Sequence, residues 1–223
     1  MGTDSIVAAA GAAPFAPWGT AGWTLVGALL GGLLAAVTIP RLLAHPEAVA
    51  RRRLVSGCAA ATGIAVGVLS VRFDGIELVA FGFLSCVGVV LAAIDLVERR
   101  LPGRLIVPSF GVLAGLLVLE AAGTGRWGNL LTALVAAFVV ALAYLLVALA
   151  SSGGLGSGDV RFGGLLGMAT GWQGWSAVIT GTVVAWTGAA AVLLVLHCLG
   201  RRPGAIPTGS FLLVGAMVAL VTG

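Results

Sequence analysis

The sequence predicts an all-α, polytopic integral membrane helical bundle of about seven or eight transmembrane segments, on three observations. Of 223 residues, 60% are hydrophobic and only 9% are charged, against roughly 25% charged in soluble domains. The apolar residues come as continuous runs of about the length needed to span a bilayer, near 20 residues. The arginines between these runs alternate between rich and poor loops, as the positive-inside rule requires.

The runs fall at 21–39, 54–71, 77–95, 105–120, 129–150, 159–171, 174–198 and 205–223. Continuous apolarity rather than periodicity identifies them. The sixth is short and Gly-rich, so it reads as a partial span buried among its neighbours. No repeat and no long polar linker divides the chain, and 1–223 reads as one membrane-embedded domain. All twelve basic residues are arginine. Arg41 and Arg51–Arg53 lie in the first loop, Arg99, Arg100 and Arg104 in the third, Arg161 after the fifth run, and Arg201 and Arg202 before the last. The alternate loops hold only Arg72 and Arg126. The Arg-rich loops are therefore expected in the cytoplasm and the N-terminus outside.

Net charge +4 and a pI near 9.8 do not indicate a nucleic-acid partner, because topology accounts for the dispersed arginines. Cys58, Cys86 and Cys198 show no paired or metal-ligand spacing and read as small buried hydrophobes. No metal or cofactor is expected. The first twenty residues lack a basic n-region and do not read as a cleaved signal peptide. Gly27, Gly31 and Gly32 read as helix-packing positions. Trp18, Trp23, Trp127, Trp172 and Trp175 lie near run ends and read as an interfacial belt, with Trp186 packing in mid-span.

Eight acidic residues are present. Asp4, Glu47, Asp74, Glu77, Glu98 and Glu120 read as solvated charges of the tail, loops or span ends. Asp95, ending the third run, and Asp159, opening the sixth, stand apart. An ionisable group at the margin of a bilayer raises a functional hypothesis. The alternation of spans puts both near the cytoplasmic face at similar depth. If they meet, their repulsion makes the pair hold a single proton. One carboxylate then activates water and the other protonates the leaving group. Asp159 follows Gly153-Gly154-Leu155-Gly156-Ser157-Gly158. Gly156 and Gly158 permit unusual torsions and a close approach by another helix or an extended strand. The alternative for Asp159 is a helix-capping aspartate after a Gly-rich loop.

The stretch Leu155-Gly156-Ser157-Gly158-Asp159-Val160-Arg161 resembles the GxGD signature of type IV prepilin leader peptidases, with Arg161 in place of the usual Lys. Ile94-Asp95-Leu96 followed by Leu101-Pro102 resembles that family's first aspartate motif, although Gly103 stands where Asn or Asp usually follows the Pro. Ile206-Pro207-Thr208-Gly209-Ser210-Phe211 resembles its PFGP-like motif, with Thr208 and Ser210 departing from Phe and Pro. The resemblance runs roughly from the second span to the end. It implies an aspartic endopeptidase of the inner membrane, with Asp95 and Asp159 catalytic. Its partners would be a type IV prepilin or pseudopilin, whose basic leader it removes at the cytoplasmic face, and membrane lipid. Gly156, Gly158, Pro102, Arg161, Pro207 and Gly209 would shape the site or bind substrate, Arg161 being placed to meet lipid headgroups. Glu98 reads equally as an attraction for a basic leader or as a loop charge. The loop Pro40–Arg53 has neither cysteines nor room for the methyltransferase insertion of bifunctional members, which implies peptidase activity alone.

Two other readings stay open. Ser157 with His197 would make a serine peptidase if the two were in hydrogen-bond reach. The same aspartates would also serve a proton-coupled transporter or a non-catalytic paralogue, to which the altered 206–211 stretch points.

Overall fold

In the computed structural model, the described residues are 19–42, 48–150, 156–200 and 208–223. They form α1 (Gly19–Leu42), α2 (Ala48–Leu69), α3 (Gly75–Glu98), α4 (Gly103–Thr124), α5 (Trp127–Ala150), α6 (Ser157–Gln173), α7 (Trp175–Cys198) and α8 (Thr208–Thr222). Each expected run is a helix, because lipid offers no partner for a free backbone amide and a helix satisfies its own. Six of them (α1–α5 and α7) are long and apolar enough to cross a membrane. The protein is thus a polytopic membrane bundle. At 17 and 15 residues, α6 and α8 are about 25 and 22 Å long, short of the ~30 Å hydrocarbon layer. The expected burial of the sixth run is observed, since every residue from Phe162 to Trp172 is buried.

Glycines set the architecture by letting three sequential helix pairs pack antiparallel at close range. In α1 and α2, a Cβ on Gly27 would lie 2.7 Å from Val66 Cβ, and Gly63 faces Ala28 in return. In α5 and α6, Gly163, Gly167 and Gly171 meet Tyr144, Val140 and Ala136 in turn. In α7 and α8, Gly181 faces Ala219, and Gly188 faces Phe211. Spacing by four puts such residues on one helix face, the small-residue pattern by which membrane helices approach. The remaining contacts organise the pairs around α3, which packs against α1, α2, α4 and α8. It is 61% buried along its apolar window, against 17–28% for the other long helices. Both α4 and α8 pack against α3 and also against α6.

At the end of the bundle where α3 begins, Glu77 accepts hydrogen bonds from Trp172 Nε1 (2.8 Å) and from Arg126. The Arg126 guanidinium lies 5.2 Å over the Trp172 ring, and Asn129 Nδ2 donates to the Trp172 carbonyl at 2.9 Å. Trp172 is fully buried and is no belt residue, because its indole N–H has a carboxylate inside the bundle. Glu77 is likewise no loop charge but the acceptor of that network. Arg72 caps α8 by donating to the Val221 carbonyl, a favourable place for a cation. Cys58 and Cys86 are buried as expected, whereas Cys198 is exposed, as are most residues in the last turns of α7. Trp186 stacks on Tyr144, 5.9 Å between centroids, while 41% exposed. Trp18 lies outside the described residues.

A Cβ on Gly167 would stand 2.9 Å from Val140 Cβ and 3.0 Å from the Ala136 carbonyl. Overpacking of this kind costs about 1–3 kcal/mol. Gly167→Val should lower the melting temperature of the purified protein, whereas Gly111→Val, at a position with open space, should leave it unchanged. Equal melting of the two variants would refute the close α5–α6 packing.

Candidate active site

Asp95 lies one turn from the end of α3 and is 4% exposed. Two features of its helix place it. Its carbonyl accepts the Arg99 N–H at 2.8 Å, and Arg99 adopts φ 53°. That left-handed conformation costs a non-glycine residue about 1–2 kcal/mol and ends the helix one turn after the aspartate. The chain turns through Leu101 into Pro102, which is extended at φ −71°, ψ 112° and precedes α4. Its carbonyl accepts the Leu105 N–H at 3.0 Å.

Asp159 is the third residue of α6 and is half-buried. Its Oδ2 accepts the Gly156 N–H at 3.0 Å, which is half of a capping box. Glycine has no side chain to return the second bond. Asp159 therefore does cap its helix, but one oxygen suffices for that. Its Oδ1 accepts the Thr208 hydroxyl at 2.7 Å.

The two aspartates converge on the start of α8. Thr208 holds Asp159, and the next residue, Gly209, donates its backbone N–H to Asp95 Oδ2 at 3.0 Å. The Ser210 N–H also reaches Asp95, and Asp95 and Asp159 interact electrostatically. The first N–H groups of a helix have no partner within it and attract negative charge. Here they meet a buried carboxylate, whose desolvation would otherwise be costly.

Glycines make room for this convergence. A Cβ on Gly209 would sit 3.0 Å from Asp95 Oδ2 and 3.2 Å from Leu101 Cδ1. A Cβ on Gly158 would sit 2.6 Å from Leu101 Cβ and 2.8 Å from its carbonyl oxygen. Leu101 thus touches both glycine positions, at the starts of α6 and α8. Arg161 is exposed and lays its guanidinium along Gly103, at the start of α4. Pro207 lies outside the described residues, as does His45. Ser157 and His197 are both exposed and share no hydrogen bond among the described residues.

Sequence reasoning missed Thr208 and Leu101. Thr208 stood out only as a departure from a motif, although a threonine just before an apolar run is a common helix-start signal. Leu101 carries no such signal, because only the fold brings two glycines against it.

Fold and site together define a class: a multi-pass membrane protein in which two carboxylates from different helices are gathered at one end. The model of the type IV leader peptidase family matches residues 82–198, just over half of the chain, and the chain belongs to that family. The matched stretch runs from within α3 to the end of α7 and includes Asp95 and Asp159, while α8 lies beyond it. No curated protein and no solved structure matches the chain.

Hydrogen bonds to charged groups contribute about 1.5–3 kcal/mol. Thr208→Val should therefore reduce peptidase turnover roughly tenfold or more, and Thr208→Ser should retain it. A Val variant as active as the Ser variant would remove Thr208 from the site.

Proposed function

We propose that the chain is an aspartic endopeptidase that removes the short basic leader from type IV prepilin or pseudopilin precursors, with Asp95 and Asp159 as its catalytic pair. The observation that carries this reading is the joint hold of both carboxylates by two consecutive residues, Thr208 and Gly209. Membership of a peptidase family supplies the reaction class.

Two neighbouring carboxylates share one proton. The ionised member takes a proton from water as the water oxygen attacks the scissile carbonyl carbon. The protonated member donates a hydrogen bond to the carbonyl oxygen. Collapse of the tetrahedral adduct breaks the C–N bond, and a carboxyl proton goes to the leaving amine. No metal or cofactor enters this sequence. The fixed amide dipoles of Gly209 and Ser210 keep Asp95 oriented without reorganisation at the moment of reaction.

The arginine distribution supports a topology with the Asp95 end of the bundle at the cytoplasmic face of the cell membrane and the N-terminus outside. A precursor whose hydrophobic helix lies in the bilayer would present its basic leader at that level. The chain would act as one membrane-embedded unit, without methyltransferase activity, given the short connection between α1 and α2. Gly156, Gly158 and Pro102 would shape the backbone beside the cut. Pro207 and Gly209 would shape the start of α8, and Arg161 would meet headgroups.

Co-expression with a pilin-like precursor from the same genome tests the proposal by the size shift of the precursor on a gel. Wild type, Ser157→Ala and His197→Ala should process it. Asp95→Asn and Asp159→Asn should each lose processing by at least a hundredfold, as expected for removal of a general acid or base. Normal processing by either Asn variant would sink the aspartyl mechanism.

A further inference from the structure

A second feature lies at the same end of the bundle, between α1 and α2. A groove of about 510 Å³ opens there, with Pro40, Val55 and Ala59 among its apolar walls and Arg51 and Arg52 on its rim. Topology alone explains why arginines gather at this end. It does not explain why two of them line a groove of the size that small ligands occupy, 300–1,000 Å³. Among the described residues, Arg51 and Arg52 make no ion pair and no hydrogen bond. At the opposite end, Arg126 is paired with Glu77 and Arg72 is bonded to the Val221 carbonyl. Ser56, also on the groove, turns its hydroxyl back to the Arg53 carbonyl at 3.1 Å.

From this geometry we infer that the groove is a binding site for an anionic phospholipid, with Arg51 and Arg52 holding the headgroup phosphodiester. A guanidinium presents a planar fork of donors that matches two phosphate oxygens. Basic pockets between membrane helices at the headgroup level bind such lipids. The apolar walls favour a lipid over a soluble phosphate, since an acyl chain can lie against Val55 and Ala59. Val55 also packs against the cluster of Ala35, Ile39, Cys58, Val90 and Ile94. The site stands on the groove and its arginines and does not require the peptidase reading.

Native mass spectrometry of the delipidated full chain, titrated with phosphatidylglycerol or phosphatidylcholine, tests this directly. Wild type should bind the first phosphatidylglycerol more tightly than phosphatidylcholine. Each basic residue near the surface contributes about 1 kcal/mol to anionic lipid, so R51Q/R52Q should weaken that first adduct roughly tenfold to thirtyfold. R51K/R52K should recover part of it, and R100Q/R104Q, with equal charge loss at the same end, should match wild type. If the double Gln variant fails to fold, as judged by its melting in detergent, Arg52→Gln alone carries the test with an expected loss of about fivefold. Three results would overturn the assignment. These are wild-type affinity in the Arg51/Arg52 variants, equal loss in R100Q/R104Q, or displacement of the lipid by inorganic phosphate.

Discussion

A carboxylate placed inside a membrane protein must be satisfied by the protein itself. Water is scarce there, and an isolated buried charge is one of the costliest groups a fold can carry. Most of the architecture around Asp95 follows from that constraint. Asp95 is 4% exposed, and the donors that reach it are backbone amides of α8. Asp159 is reached by one amide of its own helix and one hydroxyl of α8. A short helix is well suited to this task. Its first N–H groups are free by construction, and the start of α8 lies within hydrogen-bond distance of both acids.

The glycines are the second consequence. For α8 to present Gly209 to Asp95, its backbone must come within hydrogen-bond distance of a carboxylate on α3. A Cβ at Gly209 would stand 3.0 Å from the very oxygen being bonded. Gly158 has a parallel role toward Leu101. The side chain missing from each position is replaced by a neighbour from the α3–α4 turn, so the packing stays dense where the carboxylates need it. The Gly163–Gly167–Gly171 face of α6 does the same toward α5. It holds a largely apolar helix deep in the bundle by contact alone, since lipid gives no hydrophobic drive for helices to associate.

Much of this was legible in the sequence because lipid imposes simple rules. Continuous apolar runs marked all eight helices, and the shortness of the sixth marked its burial. The two aspartates were conspicuous because acids near apolar runs are rare. What was not legible depends on contacts between distant segments. Glu77 and Trp172 look like an end-of-span charge and a belt aromatic until α3 and α6 are seen to place them together. Thr208 looked like a defect in a motif, whereas its hydroxyl has a carboxylate partner that phenylalanine could not serve. Helix existence is encoded locally by composition. Side-chain pairing across 49 residues or 95 residues is encoded only by the fold.

Those two long-range pairings act on the same two helices. At one end, Glu77 of α3 accepts the indole N–H of Trp172, which is on α6. At the other, Asp95 of α3 and Asp159 of α6 are held by adjacent residues of α8. Asp95 lies 18 residues beyond Glu77, about 27 Å along α3, and Trp172 lies 13 residues beyond Asp159, about 20 Å along α6. The two helices are thus tied at both ends, directly at one and through α8 at the other. A helix tied at a single point can rotate or slide. Tied at two points this far apart, α3 cannot slide along α6 without breaking a hydrogen bond to a partly buried carboxylate at one end or the other. Such bonds are among the stronger ones a protein makes. The Glu77–Trp172 contact, remote from the acids, therefore contributes to holding Asp95 and Asp159 in register.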